Sequence, residues 1–205
     1  MAEQQGSVYD PSMVRSAETY VSYEDYLETE RASVTKNEWL DGVVYAMAGG
    51  SLEHSRLAMN ITAVLKAALA RCEVFQSDAM IFVRETNLAT YSDGVVVCGG
   101  VESQKVERNG RVIGEALLNP TVIVEVLSDS TEQYDRGEKF AHYLRIPALE
   151  AYVLVSQDTP RIEVFRRPER GHWQREEARA GQTLPIIDEV RVVVDDVYRR
   201  AGEGG

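Results

Sequence analysis

Asp93, Glu125 and Lys139 are the residues of this chain best suited to chemistry. Asp93 stands just ahead of the apolar run Val95-Val96-Val97-Cys98, and Glu125 interrupts a second run, Thr121-Val122-Ile123-Val124-Glu125-Val126-Leu127. Both runs read as buried strands. A carboxylate in such a strand is costly to desolvate unless something compensates it. A hard divalent cation, with its preference for oxygen ligands, is one such compensation, and Mg²⁺ keeps several waters of its own, so few protein carboxylates are needed to hold it. Lys139, on what reads as the following helix, adds a positive charge. Two acids, a cation and a lysine match the needs of phosphodiester hydrolysis: charge on the phosphoryl oxygens must be neutralised, a water activated and the leaving oxygen stabilised.

Each of these residues also has a structural reading. Asp93 before Gly94 suits a turn. Glu125 suits a buried ion pair. Lys139 can pair with Asp135, one helical turn earlier, on a solvated face. Glu38, between Asn37 and Trp39 in a hairpin arm, reads as solvent-facing. His54, in the first turn of a long helix, reads as exposed or as a local hydrogen-bond donor.

The elements that must position these groups are legible along the chain. Residues 1–18 are polar and aperiodic, the pattern of a flexible tail, and 19–201 read as a single domain. Ser22 is placed to cap a short helix with Asp25 at its third position. Asp41-Gly42, between two apolar arms, is a type I′ hairpin signal. Ser51 follows Gly49-Gly50 and can cap a helix over roughly 52–70, with Leu57, Ile61, Val64, Leu65 and Ala68 at helical spacing. Strand material follows at 74–75 and 80–83, then a strand at 91–98 carrying Asp93, a loop or hairpin at 99–119, and the Glu125 strand at 120–127. Ser128-Asp129-Ser130-Thr131 then offers caps for one helix at about 131–145, on which Asp135, Lys139 and Tyr143 share a face. Strands at 151–155, 161–165 and around 172–177 form an antiparallel meander, and Val192–Tyr198 reads as a strand entering a short helix. The pattern is that of an α/β chain with a mixed sheet flanked by helices.

The chain has 205 residues, 44% hydrophobic and 27% charged, a composition that suits a globular domain with a sizeable core. No apolar run approaches the ~20 residues of a membrane helix, and the first residues lack a signal-peptide pattern. The expectation is a cytoplasmic protein with no membrane association. Cys72 and Cys98 lie in apolar surroundings and read as core thiols rather than a disulfide or zinc pair. The formal net charge of −11 argues against a surface that grips nucleic acid over many phosphates, though a local basic groove is compatible with it.

The order of residues resembles the Uma-two family of bacterial restriction-endonuclease-like proteins, within the PD-(D/E)xK nuclease superfamily. The resemblance rests on Tyr23-Glu24-Asp25-Tyr26-Leu27, on Glu38 through Met47, on Ser92-Asp93, and most specifically on Val124-Glu125-Val126-Leu127-Ser128-Asp129-Ser130-Thr131 with Tyr134-Asp135-Arg136-Gly137-Glu138-Lys139-Phe140 and Tyr143. It spans roughly residues 20–200. It implies a restriction-endonuclease-like core, Asp93 and Glu125 as metal ligands, Lys139 in place of the superfamily lysine (Leu127 stands at that position), and Glu38 as a further acidic site residue. It also implies a Mg²⁺ cofactor, with Mn²⁺ able to substitute, DNA as substrate, and a homodimer. The chain departs from the pattern at Ser92, where proline is usual, and at Gly94, where an apolar residue is usual. Proline fixes the backbone entering the strand, whereas glycine loosens it.

Two function classes follow. One is a Mg²⁺-dependent DNA endonuclease using a two-carboxylate plus lysine site. The other is a catalytically inactive dimeric binding or regulatory protein on the same scaffold, because fold alone does not settle function. A hydrolase of another phosphorylated substrate ranks third.

Overall fold

A computed structural model describes residues 20–167, 172–187, 190–200 and 202. The expected tail, residues 1–18, lies outside the described residues. The elements run α1 (Tyr23–Ala32), β1 (Asn37–Leu40), β2 (Val43–Ala46), α2 (Leu52–Ala68), β3 (Glu73–Gln76), β4 (Met80–Val83), β5 (Leu88–Tyr91), β6 (Gly94–Val97), β7 (Ser103–Arg108) and β8 (Arg111–Leu117). They continue with β9 (Val122–Val126), α3 (Glu132–Arg136), α4 (Glu138–Tyr143), β10 (Ala151–Val155), β11 (Arg161–Arg166), β12 (Gln174–Arg179), β13 (Thr183–Pro185), β14 (Arg191–Val193) and α5 (Val194–Tyr198).

Local chemistry sets several of these boundaries. Ser22 accepts the backbone N–H of Asp25 and starts α1, and Ser51 accepts that of His54 and starts α2. Asp41 and Gly42 both take positive φ (45° and 94°), as a type I′ turn between β1 and β2 requires. Asn109 and Gly110 repeat the device between β7 and β8.

The strands form two mixed six-stranded sheets and a small antiparallel pair. The first sheet has the order β2-β1-β5-β4-β8-β7, the second β12-β11-β10-β9-β6-β3, and β13 pairs with β14. β4 with β8 and β9 with β10 are parallel, and the other pairings are antiparallel. β10, β11 and β12 make the expected meander.

Strand alternation sorts side chains between two cores. Val122, Val124 and Val126 pack under Leu57, Ile61 and Leu65 of α2. Ile123 and Leu127 point the other way, against Ile81 and Leu88 of the first sheet and Tyr143 at the end of α4. On the far side of the first sheet, Tyr26 and Leu27 of α1 cover Trp39 and Ala89. Each fully buried aliphatic side chain in these layers contributes roughly 2 kcal/mol. The same alternation places Glu125 with Ile123 and Leu127 in the layer between the sheets, and it places Glu38 on the strand face opposite Trp39.

Three expectations need correction. Residues 91–98 are not one strand: Tyr91 ends β5 in the first sheet, Gly94 begins β6 in the second, and Ser92-Asp93 joins them. The helix expected at 131–145 is two short helices broken at Gly137 (φ −113°, ψ −98°), where a Cβ would stand 3.0 Å from the Gln133 carbonyl oxygen. Cys72 and Cys98 form a disulfide across β3 and β6, flanking the Glu73↔Val97 pair. The sequence hides this pairing because 26 residues separate the two cysteines. Such bonds are uncommon in reducing compartments, so the disulfide weighs against the cytoplasmic expectation. Among the described residues, no helix is long and apolar enough to cross a membrane.

Candidate active site

Asp93 occupies the short link that carries the chain from one sheet to the other, and it is clamped there. Its backbone N–H donates to the Val124 carbonyl at 3.0 Å, and its Oδ2 accepts the Val126 N–H at 2.7 Å. His54 Nε2, from the first turn of α2, lies 3.2 Å from the same oxygen. The Ser92 hydroxyl donates to the Gly94 carbonyl at 3.2 Å, bridging over Asp93 and supplying some of the constraint that proline would give. Gly94 has its own reason: a Cβ there would stand 3.0 Å from Thr62 Oγ1 of α2. The loosening expected from glycine is countered by these contacts.

Glu125 lies next to Asp93 across the β6–β9 pairing, in which Gly94 opposes Val124. It is 4% exposed. Its Oε1 is 2.9 Å from Lys139 Nζ and accepts the Tyr143 hydroxyl at 3.1 Å. Lys139 is equally buried and lies 3.6 Å from Asp135 Oδ1. Asp135, Lys139 and Tyr143 therefore do share a face despite the break at Gly137. The face turns inward because Phe140 stacks on Tyr152 at 4.9 Å while the Tyr152 hydroxyl donates to the Asp135 carbonyl.

Glu38 arrives from the first sheet. It is 2% exposed, not solvent-facing as its hairpin position suggested, because the β1 face it occupies is covered by the second sheet and α3. Its contact with the Tyr134 hydroxyl is long, at 3.4 Å. Glu38, Asp93, Glu125 and Lys139 thus line one cavity of about 430 Å³, together with His54 and Asp135. A second cavity, of about 480 Å³, shares Asp93, Glu125 and His54 with the first.

The electrostatics follow from four acidic side chains, Glu38, Asp93, Glu125 and Asp135, gathered with Lys139 and His54 around one cavity. Burial pushes the Glu125 carboxyl well above the usual range, with Asp135 and Asp93 adding to it and Lys139 opposing. Burial also raises Glu38 and Asp135, again against the pull of Lys139. Burial alone would lower Lys139, but the charges around it, Glu125 foremost, hold it well above its ordinary value. Lys139 is therefore an ammonium at neutral pH, and burial pushes the carboxyls facing it toward their protonated forms unless a further cation joins the site.

These residues fit a divalent cation of the Mg²⁺ type. Asp93 uses Oδ2 and Glu125 uses Oε1 in the contacts above, leaving the second oxygen of each for another cation. Among the described residues, no three acidic or histidine side chains are gathered tightly enough to ligate one ion together. Two carboxylates with a shell completed by water is the arrangement Mg²⁺ favours.

Sequence reasoning placed His54 outside the site, and it belongs inside. Its partner Asp93 is distant along the chain, and a lone histidine in a first helical turn gives no local sign of such a contact. Tyr134, which lies in the stretch that carries the resemblance but had no role assigned, and Arg161, which had no sequence signal, also line the cavity, whereas Asp135 was marked by its spacing to Lys139.

Comparison with known proteins gives the family of the chain. An uncharacterized protein of Synechocystis, slr1290, is 33% identical over 182 residues, covering 87% of this chain and 92% of the relative. A second, sll1609, is 30% identical over 163 residues, covering 78% and 89%. The crystal structure of a "putative nuclease belonging to DUF820" from Anabaena variabilis superposes with a TM-score of 0.62 at 16% identity, over 81% of this chain and 91% of that one, which supports the fold. The model of the Uma2 family, described as "Putative restriction endonuclease", matches residues 23–194, and the chain belongs to that family.

Proposed function

We propose that the protein is a Mg²⁺-dependent DNA endonuclease that hydrolyses phosphodiester bonds in the cavity between Glu38, Asp93, Glu125 and Lys139. The observation that carries this reading is the convergence of Glu38, Asp93, Glu125 and Asp135 on one cavity around Lys139. Three of the four, Glu38, Glu125 and Asp135, are buried, where a structural role would call for matching cations; Lys139 pairs with Glu125 and Asp135, and among the described residues no cation stands within ion-pair distance of Glu38.

Asp93 and Glu125 would hold the cation through their free oxygens. When bound, Mg²⁺ would neutralise the phosphoryl oxygens and lower the pKa of a coordinated water. The chain's residues account for the remaining requirements. The Val126 N–H and His54 fix Asp93 in one orientation. Tyr143 and Lys139 fix Glu125. Lys139 remains charged, so it orients a water and offsets charge on the phosphoryl group rather than accepting a proton. Glu38 adds negative potential from the opposite sheet.

A second reading, an inactive dimeric binding or regulatory protein, is favoured by the net charge of −11. Plasmid cleavage in Mg²⁺ or Mn²⁺ decides between them. The endonuclease reading predicts nicking by the wild type and losses of about 100-fold or more in Asp93→Ala, Glu125→Ala and Lys139→Ala, given the size of electrostatic contributions in enzymes. Equal cleavage by all four proteins, or by none, contradicts it.

A further inference from the structure

We propose that Arg161 is a phosphate-binding residue, holding a non-scissile phosphate of the nucleic-acid strand beside the acidic site. This deepens the endonuclease reading and rests on it.

Arg161 begins β11 and lines the same cavity as Lys139, on the side of the loop that follows β9. It belongs to a charged group on one face of the meander. Glu163, buried on β11, is gripped by Arg136 of α3 and by Arg175 of β12. Arg136 also pairs with Glu132 at 2.7 Å, and Arg175 and Arg179 both pair with Glu177, at 3.0 Å and 2.7 Å. Four arginines, Arg136, Arg161, Arg175 and Arg179, thus face three carboxylates, Glu132, Glu163 and Glu177, leaving one positive charge in excess.

The excess falls on Arg161. Its Nη1 reaches Glu163 Oε1 only at 3.7 Å, an oxygen that Arg136 already occupies. Its Nε is buried and has no acceptor. Its strand partner is Arg179, a like charge directly opposite, which adds repulsion rather than pairing. A buried guanidinium N–H without an acceptor is costly, and the planar fork of arginine matches two oxygens of a phosphate. A strand whose scissile phosphate lies at Asp93 and Glu125 can place a neighbouring phosphate at this fork. That gives an acidic protein the local basic contact it needs to hold a polyanion.

Fluorescence anisotropy of a labelled oligonucleotide, with Ca²⁺ in place of Mg²⁺ and over a range of salt, tests the assignment. For Arg161→Gln we expect affinity to fall about 10-fold or more, the loss of one charge-assisted contact. The slope of log affinity against log salt should shrink by about 0.7–0.9, the signature of one lost phosphate contact. Arg161→Lys, which keeps the charge at the cavity, should restore most of the slope, and circular dichroism should report both variants as folded. Unchanged affinity and slope in Arg161→Gln overturn the proposal, as does a wild type that does not bind the oligonucleotide. An Asp93→Asn variant separates the two readings: loss of Mg²⁺-dependent cleavage with binding retained supports the nuclease assignment whatever Arg161 does, and retained cleavage contradicts that assignment alone.

Discussion

Lys139 Nζ lies 2.9 Å from Glu125 Oε1, with the two side chains brought from α4 and β9 into the layer between the sheets. The pair is buried, and Asp135 stands as a second acid beside Lys139. Removing one partner of a buried pair strands the other, at a typical cost of about 3–5 kcal/mol. Lys139→Met should therefore lower the urea-derived unfolding free energy by about 3 kcal/mol. The double variant Glu125→Gln/Lys139→Met should lose less than the sum of its singles and stay inactive. Additive losses would show that the two groups are not coupled.

His54 Nε2 lies 3.2 Å from Asp93 Oδ2, the oxygen that also accepts the Val126 N–H. Residues that orient a ligand typically account for about 10–100-fold in metal affinity. His54→Ala should weaken Mn²⁺ binding by about 10-fold in calorimetry while leaving the melting temperature nearly unchanged. Undiminished Mn²⁺ affinity would show that His54 does not position Asp93 for a cation.

The meander carries a pH-dependent contribution to stability of its own. Burial would raise the Glu163 carboxyl, but hydrogen bonds and charge from Arg136 and Arg175 outweigh it and hold the group below its ordinary value of 4.5. A group depressed in the folded state stabilises above its unfolded pKa and loses that contribution as pH falls through the folded value. Wild type should thus lose stability on acidification below about pH 4.5, more steeply than Glu163→Gln does. Parallel acid limbs in chemical denaturation would contradict the role given to Glu163.

Cys72 and Cys98 close a loop with a sequence separation of 26. Loop-closure entropy assigns such a bridge about 3 kcal/mol. Alkylation under non-reducing denaturing conditions should leave the intact mass unlabelled. Reduction should expose two reactive thiols and lower the denaturation midpoint. Labelling without reduction would show that the cysteines are free.

Much of the fold was legible because its signals are local. Ser22 and Ser51 act as caps, Asp41-Gly42 makes its turn, and the β-branched runs around Val95 and Val124 form strands. The two-sheet division was not legible, since nothing in Ser92-Asp93 announces that the chain leaves one sheet for the other. The break at Gly137 was missed because the i, i+4 spacing of Asp135 and Lys139 survives it. At the site, Asp93, Glu125 and Lys139 stood out as charges in apolar runs or at helical spacing. Glu38 came only through the family resemblance, because its burial depends on a sheet that covers β1 from elsewhere in the chain. His54 and Arg161 take their meaning from partners that no local pattern reveals.

In the proposed endonuclease, Asp93 and Glu125 share a single divalent cation. A crystal soaked in Mn²⁺ and measured at the manganese edge tests it directly. We expect one anomalous peak within about 2.0–2.3 Å of a carboxylate oxygen from each residue, with water completing the shell and Lys139 retained beside Glu125. A peak elsewhere, or none at millimolar Mn²⁺ with both side chains ordered, contradicts it.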